Sequence, residues 1–128
     1  MIVATSALVA VVLKEPGHEE IIAKLAAATG PGIGTPTLAE LGIVLTARLG
    51  ADPQSIIVRL LDELEIVEVL FGEDHWREAL SAFSRFGRGR HPARLNFGDC
   101  LTYAVARLAD EPLLFVGDDF DKTDLAVA

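Results

Sequence analysis

Four carboxylate side chains lie where an α/β protein would place its chemistry. Glu40 lies early in a predicted helix that follows a short strand, Asp99 opens a late helix, and Asp118 and Asp119 follow a buried strand ending at Val116. Because ligand sites in parallel sheets lie beyond the carboxyl ends of the strands, we expect these acids to share one edge. Clustered carboxylates repel one another unless a cation neutralises them, and such oxygen ligands suit Mg²⁺ or Mn²⁺ better than zinc.

Each acid also has an ordinary structural interpretation. Thr37 and Glu40 are spaced as a capping box, in which two side chains satisfy backbone N–H groups at a helix start. Asn96 and Asp99 have the same spacing, and the helix dipole favours a charged carboxylate in a first turn. An acidic run such as residues 118–124 is usually a solvated loop. Spacing alone leaves both interpretations open for each acid.

The elements that would position these acids alternate between strands and helices. Short apolar or β-branched runs predict strands at residues 1–5, 33–35, 66–70 and 113–116. Helical spacing predicts helices at residues 6–13, 16–28, 37–49, 53–64, 73–86 and 96–109. This alternation predicts an α/β fold with a mainly parallel sheet, and a chain of 128 residues fits one domain.

The composition restricts the class of protein. Half of the residues are hydrophobic (51%), so a core can form without crosslinks. No apolar run approaches the roughly 18 residues that a membrane span needs, and the first residues lack the basic region of a secretory signal. The single cysteine, Cys100, excludes an intrachain disulfide and a cysteine-based zinc site. We therefore expect a cytoplasmic protein with no membrane segment, and Cys100 as a core residue.

One basic segment contrasts with the net charge of −8. Residues 85–94 carry four arginines, one histidine and no acid. The overall charge opposes general binding of nucleic acid, but a compact basic loop can hold a phosphate backbone locally. We expect Arg88, Arg90 and Arg94 to contact phosphates. The alternative is a solvated connector between two helices.

Taken together, these motifs resemble the PIN-domain family, and within it the VapC-type toxins of toxin–antitoxin systems. The opening segment MIVATSAL, Glu40, the NFGD motif at 96–99 and the acidic segment at 117–124 follow the family's order and spacing. The resemblance covers essentially the whole chain. It implies a single PIN domain over residues 1–128, folded as an RNase H-like three-layer α/β/α sandwich.

The resemblance also implies an activity and its participants. It implies Mg²⁺- or Mn²⁺-dependent cleavage of RNA, a homodimer, and neutralisation by a cognate antitoxin in a heterotetramer or larger assembly. Carried over position by position, it implies acidic metal-binding and catalytic residues at Glu40, Asp99 and Asp118 or Asp119. The hydroxyls of Thr5 and Ser6 would assist near the phosphate or a metal-bound water.

The sequence departs from the family pattern at position 4. Ala4 stands where the family has a central metal-binding aspartate, and alanine offers no ligand atom. We therefore expect weakened metal binding and weakened or absent cleavage. A deliberate inactivating change and a naturally non-catalytic member both fit this residue.

Three other functions compete with the toxin interpretation. Ala4 also suits a non-catalytic PIN-like binding module. A PIN nuclease acting on DNA is disfavoured by the small size of the chain. A receiver-like phosphoacceptor domain is disfavoured because the strand at 66–70 ends in Phe71 and Gly72 instead of an aspartate.

Overall fold

The computed structural model describes residues 1–128 as four short strands and six helices. The strands are β1 (Ile2–Val3), β2 (Gly32–Gly34), β3 (Val67–Val69) and β4 (Leu113–Leu114). The helices are α1 (Thr5–Val12), α2 (His18–Ala27), α3 (Thr35–Leu49), α4 (Gln54–Glu63), α5 (Glu73–Phe86) and α6 (Phe97–Ala109). Every predicted element is present. β1, β3 and β4 are shorter than the runs that predicted them, and β2 begins one residue before its predicted range.

The four strands form one parallel sheet in the order β3-β2-β1-β4. The Ala4 N–H donates to the Leu114 carbonyl at 2.9 Å, and the Gly32 N–H donates to the Met1 carbonyl at 2.9 Å. β1 is therefore an inner strand with a neighbour on each side. Its carboxyl end, where Ala4 follows Val3, therefore lies near the middle of the sheet edge at which parallel sheets bind ligands.

Helices cover both faces of this sheet. Side chains alternate between faces along a strand, so Ile2 and Leu113 pack against α5 and α6, whereas Val3 and Leu114 pack against α1, α2 and α3. Two apolar clusters result, one on each side of the sheet. The three-layer α/β/α architecture is confirmed.

Two glycines with positive φ set helix boundaries. Gly50 (φ 68°) ends α3, as its position predicted. Gly17 (φ 90°) precedes α2, so Pro16 lies in the preceding turn and the predicted start of this helix at residue 16 is wrong by two residues. None of the six helices combines the length and the apolar character that a membrane span requires.

Candidate active site

The capping box predicted for Thr37 and Glu40 is wrong. α3 begins at Thr35 with Pro36 in its first turn, a position that proline favours, and no side chain caps this start. Thr37 is buried inside the helix, where its hydroxyl lies 3.2 Å from the hydroxyl of Thr102 in α6. Glu40 therefore lies beyond the first turn, and its carboxylate is available for another role.

The Glu40 carboxylate lies between the start of α1 and the start of α6. The Thr5 hydroxyl donates a hydrogen bond to Glu40 Oε1. A methyl group built on Gly98 would overlap Glu40 Oε2. The structure thus brings Thr5 to one of the predicted acids, and the role of Thr5 near a phosphate or metal-bound water stays a prediction. The structure also adds Gly98, whose only signal in the sequence is a glycine in the first turn of a helix.

Ala4 occupies the N-cap position of α1. It is 3% exposed, its backbone is extended (φ −86°, ψ 159°), and its side chain makes no capping hydrogen bond. Aspartate, asparagine, serine and threonine are favoured at an N-cap because a side-chain oxygen accepts a backbone N–H, which alanine cannot do. A carboxylate at position 4 would therefore suit the backbone there, directly before the residue that binds Glu40.

The Ser6 hydroxyl links α1 to the segment that follows β4. It accepts a hydrogen bond from the Val116 N–H at 3.0 Å. Val116 directly precedes the turn that carries Asp118 and Asp119. Ser6 thus helps to hold the segment after β4 against α1. The role of Ser6 near a phosphate or metal-bound water stays a prediction.

Asp99 is both a helix cap and a member of the acidic group. Its N–H donates to Asn96 Oδ1 at 2.9 Å, and the Asn96 N–H donates to Asp99 Oδ2 at 3.0 Å, so this predicted capping box is confirmed. Burial raises the pKa of Asp99 to about 6, the Asn96 N–H opposes this rise, and the charges of Asp119 and Glu40 add to it. Burial is the largest of these effects, so the neutral form of Asp99 is favoured in spite of its place in a first turn.

The raised pKa of Asp99 predicts a pH-dependent stability. The folded protein holds this proton up to about pH 6, whereas the unfolded chain loses it near the ordinary value of 3.8. The free energy of unfolding therefore falls as pH rises through this window. Asp99→Asn keeps an oxygen for the cap and removes the charge. After discounting for solvent screening, we expect it to stabilise the fold by about 1 kcal/mol at pH 7.5 and by almost nothing at pH 3.5.

Urea denaturation of both proteins at several pH values would measure this difference. An Asp99→Asn effect that is the same at pH 3.5 and pH 7.5 would contradict the raised pKa. A destabilisation at both pH values would show that the capping contribution dominates.

Asp118 and Asp119 lie on an exposed turn beside a polar cleft of about 380 Å³. The charged residues that line this cleft are Arg88, Arg94, Asp99, Asp118, Asp119 and Lys122. Of the two neighbouring acids, Asp119 is the one whose charge raises the pKa of Asp99. Glu40 lies outside the cleft, against Gly98, the residue before Asp99 in α6.

The basic loop divides between two locations. Arg88 and Arg94 line the cleft with Lys122, and none of the three forms an ion pair. The guanidinium of Arg90 instead lies 5.5 Å from the centroid of the Phe83 ring, and Arg90 does not line the cleft. The structure therefore brings two of the three predicted phosphate-binding arginines to the acids.

A further contact that the sequence did not reveal anchors the C-terminal segment. Arg85 forms an ion pair with Asp124 at 2.6 Å, and the Tyr103 hydroxyl donates to the other Asp124 oxygen at 2.6 Å. Partial burial by itself would raise the pKa of Asp124, but the hydrogen bonds from Tyr103 and Arg85 together with the charge of Arg85 outweigh it, so the pKa is lowered. Arg85 is thus a structural arginine, unlike Arg88 and Arg94.

The carboxylates do not form a complete metal-ligand set in this chain. No three Asp, Glu, His or Cys side chains are grouped closely enough to hold a metal ion. Glu40 approaches from α3 and Asp99 from α6, and Ala4, at the end of β1, contributes no oxygen. Cys100 offers no alternative, because burial and the neighbouring Asp99 raise the pKa of its thiol to about 11. The donors present suit a hard cation but do not fit one without a further ligand.

The chain matches the family model of the PIN domain over residues 1–125. Among curated proteins, VapC ribonuclease Mb2004c of Mycobacterium bovis is 49% identical over 126 residues, covering 98% of this chain and 91% of the relative. Ribonuclease VapC42 of Mycobacterium tuberculosis is 40% identical over 129 residues, covering 100% of this chain and 98% of the relative.

Solved structures agree on the fold. Mycobacterium tuberculosis VapC20, described as a Sarcin-Ricin loop cleaving toxin, superposes with a TM-score of 0.77 at 18% identity, covering 99% of this chain and 97% of that one. A toxin–antitoxin complex from Klebsiella pneumoniae contains a chain with a TM-score of 0.72 at 16% identity, covering 99% of this chain and 95% of that one. The family match and the sequence identities together show that the chain belongs to the PIN-domain family, in the group of the VapC ribonucleases.

Proposed function

We propose that this chain is the ribonuclease toxin of a type II toxin–antitoxin system in a form that binds RNA but cleaves it weakly or not at all. The observation that carries the proposal is the place of Ala4. It lies buried at the carboxyl end of β1, directly before the Thr5 hydroxyl that binds Glu40. The charges of Asp119 and Glu40 both act on Asp99, which supports a shared acidic site that lacks one carboxylate.

The protein's own residues supply binding and orientation. VapC ribonucleases of the PIN-domain family are generally dependent on a divalent metal. In a form with aspartate at position 4, we propose that this residue, Glu40, Asp99 and Asp119 would hold Mg²⁺ or Mn²⁺, with Asp118 as the alternative to Asp119. Such an ion stabilises charge on a scissile phosphate and lowers the pKa of a bound water. In the present chain the set is incomplete, so we assign it no cleavage step.

We propose two protein partners, a cognate antitoxin and a second copy of the chain. VapC toxins pair with an antitoxin, and two exposed apolar grooves support protein contacts here. One lies between α3 and α4 and includes Ile43 and Val58; the other lies between α5 and α6 and includes Trp76, Leu80 and Phe97. Contiguous apolar surface of this kind marks interaction sites. With RNA and an antitoxin as partners, we place the protein in the cytoplasm.

Expression in a bacterial host tests the toxin proposal. We expect Ala4→Asp to arrest growth, co-expression of the antitoxin to restore it, and the present chain to be tolerated. Ala4→Ser is the matched control, because serine caps α1 as well as aspartate does but provides no carboxylate. An Ala4→Asp protein that is folded and as harmless as Ala4→Ser would overturn the proposal.

The cleft arginines predict how RNA binding depends on salt. Phosphate contacts release counterions, so affinity should fall as salt rises. Replacing Arg88 and Arg94 together with glutamine should lower RNA affinity and reduce the salt slope by roughly one unit per lost contact. Arg90→Gln is the control within the same loop, since its guanidinium lies over Phe83 outside the cleft.

Filter binding or fluorescence anisotropy with the present chain across a salt series would measure these slopes. Equal slopes for the parent and the double variant would show that Arg88 and Arg94 do not touch RNA. A larger effect of Arg90→Gln would indicate that the RNA phosphates bind on the Arg90 side of the loop and not in the cleft.

A further inference from the structure

The start of α6 contacts the Glu40 carboxylate through a residue without a side chain. A methyl group built on Gly98 would overlap Glu40 Oε2 and lie 3.1 Å from Glu40 Cδ. Gly98 has no positive φ, so its backbone does not require glycine. The requirement at this position is space for the carboxylate.

The two oxygens of Glu40 are constrained from different sides. Oε1 accepts the hydrogen bond of the Thr5 hydroxyl, and Oε2 lies against the Gly98 backbone. A side chain at position 98 would push the carboxylate away from α6. The flexible Glu40 side chain can make this movement, but the movement would break the hydrogen bond between Thr5 and Oε1. We expect that loss to offset the gain in helix propensity from alanine.

The helices themselves cannot easily move apart to make room. The hydroxyls of Thr37 in α3 and Thr102 in α6 lie 3.2 Å from each other, and both residues are 3% exposed. Thr37 lies three residues before Glu40 and Thr102 four residues after Gly98, which puts each pair on one helix face. Separating α3 from α6 would leave buried hydroxyls without partners. Strain introduced at position 98 must therefore be relieved by Glu40.

We propose that Gly98 is a positioning residue for Glu40. Its missing side chain lets α6 approach α3 closely enough to hold Glu40 against Thr5 while Asp99, the next residue, faces the same edge. The consequence for metal binding rests on the function proposed above, in which Glu40 is a ligand. The steric relation between Gly98 and Glu40 does not rest on it.

Thermal denaturation of the present chain tests this steric relation. Alanine generally stabilises a helix relative to glycine. Gly42→Ala in α3 is the matched control, because its methyl group would meet only Ile57 Cδ1 at 3.8 Å. We expect Gly42→Ala to raise Tm whether residue 40 is glutamate or alanine. We expect Gly98→Ala to raise Tm only in the Glu40→Ala background. An equal change in Tm from Gly98→Ala in both backgrounds would overturn the proposal.

Calorimetric titration of Mn²⁺ into Ala4→Asp proteins tests the consequence for the site. We expect Gly98→Ala to weaken Mn²⁺ binding by about tenfold or more, because loss of a residue that orients a metal ligand typically lowers metal affinity by that factor. We expect Gly42→Ala to leave Mn²⁺ binding unchanged. Adding Glu40→Asp, whose shorter side chain withdraws the carboxylate, should recover part of the loss in Gly98→Ala. Undiminished binding by Gly98→Ala would overturn the positioning role. Absence of Mn²⁺ binding in Ala4→Asp itself would overturn the proposed function, and the Tm comparison would still decide the relation between Gly98 and Glu40.

Discussion

Replacing Ala4 with aspartate is expected to raise the rate of RNA cleavage in Mg²⁺ or Mn²⁺ by at least about a hundredfold. Loss of a residue that only supports a metal ligand costs up to about a hundredfold in activity, and a direct ligand should matter at least as much. The new carboxylate would stand at the end of the inner strand β1, beside the Thr5–Glu40 pair. It would add an oxygen ligand to an acidic group in which no three side chains are now close enough to hold a metal ion. Gel analysis of cellular RNA, with and without a chelator, would measure the change.

The same substitution should change stability in a metal-dependent way. An N-cap aspartate in place of alanine contributes about 0.5–2 kcal/mol. Repulsion from Glu40 and Asp99 opposes this gain while no cation is bound. We therefore expect Mn²⁺ to raise the Tm of Ala4→Asp and to leave the Tm of the present chain almost unchanged, because a ligand stabilises the state that binds it. Cleavage by Ala4→Asp that survives the chelator would contradict metal dependence.

Neutralising either Glu40 or Asp99 in the Ala4→Asp protein is expected to abolish cleavage without loss of stability. In the Ala4→Asp background, Glu40→Gln and Asp99→Asn each keep the size of the side chain and remove its charge. Each removes a proposed ligand and also relieves repulsion within the acidic group, so Tm should stay the same or rise. Asp99→Asn retains an oxygen for the Asn96 N–H, so this variant separates the effect of the charge from the effect of the capping hydrogen bond.

Cleavage rates and melting temperatures of the single and double variants would be measured together. A clear drop in Tm with cleavage retained would show that Glu40 and Asp99 act as structural residues only. Lys122→Gln is a useful comparison, because it changes a charge in the cleft without removing a carboxylate.

The fold was predictable because its signals are local. Apolar β-branched runs alternate with helical spacing, and glycine or proline marks several boundaries, so the order of elements follows from short segments. Ile2 and Val3 pack against opposite clusters as alternation along a strand requires. The identity and order of the candidate acids were likewise visible, because each follows a strand or opens a helix.

The errors arose where contacts between distant residues decide the outcome. Thr37 and Glu40 have the spacing of a capping box, but Thr37 is bound to Thr102, which lies 65 residues away, and Glu40 is bound to Thr5. The pKa of Asp99 follows its burial rather than its place in a first turn. Arg90 was indistinguishable from Arg88 by sequence, and only the packing over Phe83 separates them.

Calorimetric titration of Mn²⁺ into the present chain and into Ala4→Asp, under identical conditions, tests most directly whether one missing carboxylate separates this chain from a complete site. We predict saturable binding by Ala4→Asp and none by the present chain or by Ala4→Ser. Equal binding by all three proteins would contradict the account, because it would place the ion where position 4 has no part in holding it.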